Sequence, residues 1–207
     1  MSFENFTGYV LAGGKSSRMK TDKAFLEIGG ETFLARAART LSTVCENRIK
    51  IVLNRTQTHF AEKLPKGISY IFDVFENRGA LGGIHSALTE CETKYAIILA
   101  VDLPLVTTEA VEKLAEIALA SNTFIAVVPR QADDRLQPLC AVYHARYCLP
   151  SLENLLGKNA SASVNDFLEL VAPRVIDQIK LTDNESADIF FNVNRPADFQ
   201  LLPETIR

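Results

Sequence analysis

At 207 residues, 47% of them apolar and 23% charged, the chain can bury one sizeable core and has the composition of a soluble globular protein. Its net charge of −3 argues against bulk binding to nucleic acid. No apolar run approaches the ~18 residues of a membrane span, and Met1-Ser-Phe-Glu-Asn5 lacks the basic segment and apolar core of a secretory signal, so a cytoplasmic protein is expected. The cysteines at 45, 91, 140 and 148 form no C-x-x-C pair and suit no zinc site, and they read as reduced, packed thiols.

Strand-like and helix-like runs alternate through the first two thirds. Residues 9–11 read as a strand, and residues 32–44 as a helix with Phe33, Leu34, Ala37, Ala38 and Leu41 at helical spacing. Residues 48–53 are a second strand, 57–64 a short helix stopped by Pro65, and 68–72 a third strand ending in Asp73. A glycine-rich loop, Arg78-Gly-Ala-Leu-Gly-Gly-Ile84, opens a helix to about residue 91. Residues 95–101 are apolar throughout, as in a central parallel strand buried on both faces, and they end at Asp102. An amphipathic helix over 108–120 and a strand over 124–128 follow.

The alternation then loosens. Residues 139–143 read as a strand, 145–156 as a helix, and 163–170 as a helix capped by Ser163. Residues 171–176 and 189–193 are strand candidates, and 196–201 a helix with Pro196 in its first turn. The pattern predicts a single domain over 1–207 built on one doubly wound, mostly parallel α/β sheet in three layers. Its nucleotide-binding part would cover about 1–130 and its acceptor part about 131–207.

In such sheets ligands bind beyond the carboxyl ends of the strands. The first strand runs into Ala12-Gly13-Gly14, followed by Lys15, Arg18, Lys20 and Lys23. Small residues let the backbone turn and approach a ligand, successive N–H groups form a concave anion site, and the cations add a positive field. A nucleoside triphosphate fits. Gly14-Lys15-Ser16 matches the end of a P-loop, but the first glycine of that motif should fall at position 9, which is Tyr9.

Asp102, in Val101-Asp-Leu-Pro104, either holds Mg²⁺ or initiates a turn; the basic glycine loop favours the metal. Asp73 bonds a ligand or closes a surface turn. Gly79, Gly82 and Gly83 exceed what a turn needs and predict close backbone approach at a helix N-terminus. Asn54 and Arg55 read as a generic loop. Asn192 and Asn194 fall two apart, on one face of the strand expected there, and either bind ligand or turn the chain. His59, His85 and His144 are scattered and read as packed or surface histidines.

Taken together, these residues resemble the molybdenum cofactor guanylyltransferase family (molybdopterin-guanine dinucleotide biosynthesis protein A). The matching segments are Leu11-Ala-Gly-Gly-Lys-Ser-Ser-Arg-Met19, Asp22-Lys23, Gly79-Ala-Leu-Gly-Gly-Ile84, Val101-Asp-Leu-Pro104, Gln137-Pro-Leu139 and Asn192-Val-Asn194. Two positions depart from the family pattern: Lys20 follows Arg-Met in place of glycine, and Ala80 stands where the second loop carries proline.

The resemblance implies transfer of GMP from GTP to molybdopterin, with pyrophosphate leaving. It implies GTP contacts by Leu11, Ala12, Gly13, Gly14, Lys23, Asn54, Asp73, Gly79, Gly82 and Asp102. Arg18 and Lys23 would serve the phosphates, Asp102 would hold Mg²⁺ (Mn²⁺ in its place), and Asn192 and Asn194 would lie toward the pterin. Implied partners are GTP, molybdopterin with or without molybdenum, and cofactor-delivery proteins, for a monomer or weak homo-oligomer. A cytidylyl sibling, a sugar-1-phosphate nucleotidyltransferase and a non-catalytic nucleotide-binding module are the rival readings.

Overall fold

A computed structural model describes residues 4–13, 22–64, 67–75, 77–120, 123–183 and 188–202. Its centre is a seven-stranded sheet. In chain order the strands and helices are β1 (Phe6–Leu11), β2 (Glu27–Ile28), β3 (Glu31–Thr32), α1 (Phe33–Cys45), β4 (Ile49–Leu53), β5 (Ser69–Phe72), α2 (Ala80–Thr89), β6 (Tyr95–Ala100), α3 (Thr108–Ala120), β7 (Ala126–Arg130), β8 (Cys140–His144), α4 (Ala145–Lys158), α5 (Val164–Val171), β9 (Arg174–Asp177) and α6 (Pro196–Gln200). The large sheet runs β5-β4-β1-β6-β8-β7-β9. The four strands β5, β4, β1 and β6 are parallel neighbours, and β7 and β9 are parallel to each other. Between these two groups β8 runs antiparallel to both β6 and β7.

The expected sheet is therefore present, with its reversal at β8. All six residues of β1 and of β6 are buried. Such strands need helices on both faces. One face packs Phe6, Val10, Ile51, Ile97 and Leu99 against α1 and α3. The other packs Tyr9, Leu11, Ile98 and Tyr143 against α2, α4 and α5. The side chains of Tyr95 through Leu99 in β6, like the apolar ones of β1, thus alternate between the two cores, while Ala100 at the strand end joins Leu99 in the first.

Local chemistry fixes the element ends. Thr32 Oγ1 accepts from the Ala35 amide at the start of α1 (3.1 Å), and Thr107 Oγ1 from Ala110 at the start of α3 (3.2 Å). Ser163 and Asp166 form a reciprocal box at α5. The hairpin β2–β3, absent from the sequence reading, turns on Gly29 and Gly30, both at positive φ (59° and 78°).

The short helix expected over residues 57–64 is present as a 3-10 segment, Arg55–Lys63. One expectation is corrected. The segment at 189–193 is not a strand. Ile189 and Phe190 are buried in the core, and the Val193 amide donates to the Asp102 carbonyl (2.9 Å), which takes the place of a strand ladder.

Candidate active site

The four parallel neighbours deliver five of the expected residues to one edge of the sheet. Asp73 follows β5, Asn54 follows β4, Ala12 and Gly13 follow β1, and Asp102 follows β6 by one residue. The chain leaves β1 to form β4 on one side and returns to form β6 on the other, so the carboxyl end of β1 lies at a topological switch point.

The β1 turn is tied to both neighbours. The amides of Ala12 and Gly13 both donate to the Val52 carbonyl (3.1 Å each), and the Leu11 carbonyl accepts from Val101 (3.1 Å). Gly13 is held close: a Cβ there would stand 3.3 Å from the Asn54 nitrogen. Gly14 and Arg18, both expected in the site, lie outside the described residues.

On the β6 side, Lys23 opens a short 3-10 turn (Lys23–Phe25) and points its ammonium at Asp102. Lys23 Nζ lies 3.3 Å from Asp102 Oδ2 and donates to Asn194 Oδ1 (2.6 Å). The Asp102 Oδ1 atom is buried and has no partner among the described residues. A second buried oxygen, Asn192 Oδ1, is likewise without one. The Val193–Asp102 backbone bond brings this asparagine pair to Asp102, although the strand expected to carry it is absent. The Asn194 and Arg195 amides both donate to Asp198 Oδ2 (2.7 and 2.8 Å), which fixes the turn into α6.

On the β5 side, Asp73 packs on the first turn of α2. Its Oδ1 accepts from the Phe75 amide (2.9 Å) and from the Ser86 hydroxyl (3.4 Å). Burial raises its carboxyl above the ordinary range, and these two donors pull the other way. The close approach expected at the glycines is made here by protein. A Cβ on Gly82 would fall 2.6 Å from Asp73 Oδ2, and one on Gly83 would fall 3.3 Å from the Leu11 side chain. Gly79 supplies the positive φ (54°) at the α2 N-cap, where no side chain caps the first turn.

Sequence reasoning missed Gln57, Ser86 and Asp198. Gln57 is buried and bonds both Asn54 and Ala12. Its signal was the Asn54-x-x-Gln57 spacing directly after a strand, which resembles the three-residue reach-back of a capping box. Of the histidines, His59 is exposed and lies 3.4 Å from Asp22, the neighbour of Lys23. His85 is buried between α2 and α4, with burial lowering its pKa, and His144 stands at the N-cap position of α4 without a side-chain capping bond.

No group of three or more His, Cys, Asp or Glu that could hold a metal occurs among the described residues. The unpartnered carboxylate oxygen of Asp102 is instead a hard donor of the kind a divalent cation takes together with substrate oxygens. No helix among the described residues is long and apolar enough to cross a membrane.

Fold and edge together define a nucleotidyltransferase, with a glycine turn, a lysine and an aspartate gathered at the carboxyl ends of parallel strands. The chain belongs to the MobA-like NTP transferase family, whose model matches residues 8–173. It is 33% identical over 93% of its length to a probable molybdenum cofactor guanylyltransferase of Geobacillus sp. (strain WCH70), covering 95% of that protein. It is also 33% identical over 92% of its length to the protein of the same name in Methanosarcina acetivorans, covering 87% of it. Among solved structures it is similar to molybdopterin-guanine dinucleotide biosynthesis protein A from Archaeoglobus fulgidus, with a TM-score of 0.78, 23% identity and coverage of 94% and 95% of the two chains. The 2-C-methyl-D-erythritol 4-phosphate cytidylyltransferase of Thermus thermophilus shares the fold at a TM-score of 0.64 and 15% identity, with coverage of 93% and 95%.

Proposed function

We propose that this protein transfers GMP from GTP to molybdopterin, releasing pyrophosphate and forming the guanine dinucleotide of the cofactor. The single observation that carries the reading is the Lys23–Asp102–Asn194 cluster beside the β1 turn, with the buried Asp102 Oδ1 lacking a partner among the described residues. Relatives named molybdenum cofactor guanylyltransferase across nearly the whole length support the choice of base and acceptor.

In this reading an oxygen of the molybdopterin phosphate attacks the α-phosphorus of GTP, a new P–O bond forms, and the bond to pyrophosphate breaks. A phosphomonoester has its second pKa near ~6, so the nucleophile is mostly dianionic at neutral pH and needs no general base. What the chain must supply is positive charge and in-line orientation. The Ala12 and Gly13 turn receives the nucleotide, with Gly14 and Arg18 in the segment that follows. Lys23 neutralises phosphate charge. Asn54, Asp73, Gly79 and the first turn of α2 hold the nucleoside side, and Gly82 contributes there by making room for Asp73. Asn192 and Asn194 face the acceptor.

Asp102 would hold the divalent ion, Mg²⁺ or Mn²⁺ in its place, through the oxygen that lacks a partner. Bound there with the substrate, such an ion neutralises charge on the transferring and leaving phosphates. The whole of 1–207 serves as one nucleotidyltransferase unit, in which the N-terminal part to about 130 takes GTP and the remainder takes the acceptor.

The reading is tested by binding. A ligand at ~100 times its dissociation constant stabilises by roughly 2.7 kcal/mol, which a thermal shift detects. GTP with Mg²⁺ is expected to shift the unfolding midpoint, and CTP, ATP and UTP are not. A shift with CTP alone would transfer the reading to a cytidylyltransferase.

A further inference from the structure

We infer that Gln57 is a positioning residue for nucleotide binding: its amide sets the spacing between the β1 turn and Asn54. The inference rests on the nucleotide site proposed above. Gln57 is 7% exposed and sits where the 3-10 segment departs from helical geometry (φ −99°, ψ 31°). Its Oε1 accepts from the Asn54 amide (2.8 Å), and its Nε2 donates to the Ala12 carbonyl (3.2 Å). One side chain thus bridges the ends of two adjacent strands at the point where the ligand would enter.

The chemistry of the bridge is restrictive. One end meets an N–H and the other a C=O, so the side chain must present an acceptor and a donor on one planar group. An ionised glutamate offers only acceptors and lysine only donors. A leucine leaves both backbone groups without a partner inside the protein. Gly13 gives independent support: a Cβ there would lie 3.3 Å from the Asn54 nitrogen and 3.8 Å from Gln57 Oε1, so the corner has no spare room.

The same 3-10 segment reaches the Lys23 turn. Phe60 is buried and meets the Phe25 ring edge-on (centroids 4.6 Å), and His59 Nε2 lies 3.4 Å from Asp22 Oδ2. Gln57 and Phe60 therefore anchor one strap to both phosphate-side elements. The amide of Gln57 fixes the height of the β1 turn, and the ring of Phe60 fixes the turn that carries Lys23.

Gln57→Glu provides a test that a merely structural role would not pass. A protonated glutamate reproduces the glutamine pattern, because its O–H donates to the Ala12 carbonyl and its C=O accepts from Asn54. Ionisation destroys that pattern and sets an anion against a carbonyl. Burial raises such a carboxyl toward neutrality. Affinity for Mg-nucleotide is measured by calorimetry for wild type and variant from about pH 8 to about pH 5.5, and read as the ratio of the two dissociation constants to cancel titration of the nucleotide.

The ratio is expected to be about tenfold or more at the upper pH and to fall to about twofold or less at the lower. Gln57→Leu, which cannot titrate, is expected to bind about tenfold more weakly across the range, with KM for the acceptor unchanged. A ratio that does not fall with pH, or a Gln57→Leu protein that binds like wild type, overturns the inference and leaves the nucleotide site standing. A wild-type chain that binds none of the four Mg-nucleotides overturns both. If it binds one other than GTP, the base assignment falls and the ratio is read with that nucleotide.

Discussion

Lys23 Nζ and Asp102 Oδ2 lie 3.3 Å apart across 79 positions of sequence, and the same ammonium reaches Asn194 Oδ1 at 2.6 Å. A cation of the protein thus rests on the carboxylate proposed to receive the divalent ion. Both side chains are mostly buried, 17% and 21% exposed, so water screens the pair less than it would at the surface.

The pair makes Lys23 a competitor of the metal until phosphates arrive to share it. Lys23→Gln is therefore expected to bind Mn²⁺ without nucleotide more tightly than wild type. The gain should be about fivefold, the equivalent of roughly 1 kcal/mol for a partly exposed ion pair. Electron paramagnetic resonance of free Mn²⁺ checks this directly. The same variant should lose nucleotide affinity, since the phosphates lose a cation.

Asp102→Asn removes the charge but keeps the shape. It is expected to fold like wild type, to lose turnover by at least ~100-fold, and to abolish the Mg²⁺-dependent part of nucleotide binding. Circular dichroism and calorimetry with and without Mg²⁺ separate these effects. A folded and fully active variant would remove Asp102 from the metal site.

Gly82 and Asp73 form a steric pair. Gly82→Ala places a Cβ 2.6 Å from the Asp73 carboxyl, which is itself held by the Phe75 amide. The substitution is expected to cost about 1–3 kcal/mol in urea denaturation. Combined with Asp73→Ala the cost should shrink, and a double-mutant cycle measures the coupling.

Asp73 also sets a pH dependence. Burial raises its folded pKa above the unfolded value, so the folded state holds that proton more tightly. Its stabilising contribution is full below the ordinary aspartate pKa of ~3.9 and is lost as pH rises through the raised folded value. At neutral pH the ionised group opposes folding. Asp73→Asn is expected to raise the neutral-pH unfolding midpoint, with the advantage shrinking as pH falls through the raised value toward ~3.9. Nucleotide affinity should fall in the same protein, a sign that the carboxylate is kept for binding at the expense of stability.

The sheet was legible in the sequence because its signals are local. The buried run of β6, the helical spacing of α1 and α3 and the polar residues after each strand can all be read within ten or so residues. The antiparallel course of β8 was not, because strand direction depends on where a long connection returns. Asn192 and Asn194 were read as a strand because Phe190, Phe191 and Val193 are apolar; in fact Phe190 and Val193 are drawn into the core and Val193 bonds the Asp102 backbone. Gln57 was hidden for a similar reason: its partners Ala12 and Asn54 meet only once β1 and β4 pair. The role of Gly82 was half legible, since the need for a missing side chain was plain but its neighbour Asp73 was not.

The central claim is GMP transfer, and it is tested most directly by incubating the wild-type chain with molybdopterin, Mg²⁺ and GTP and following pyrophosphate and dinucleotide together. Equal amounts of pyrophosphate and molybdopterin guanine dinucleotide, with no product from CTP, are the result expected here. Conversion of GTP to GDP and phosphate without a dinucleotide, or turnover with CTP in its place, would contradict the account.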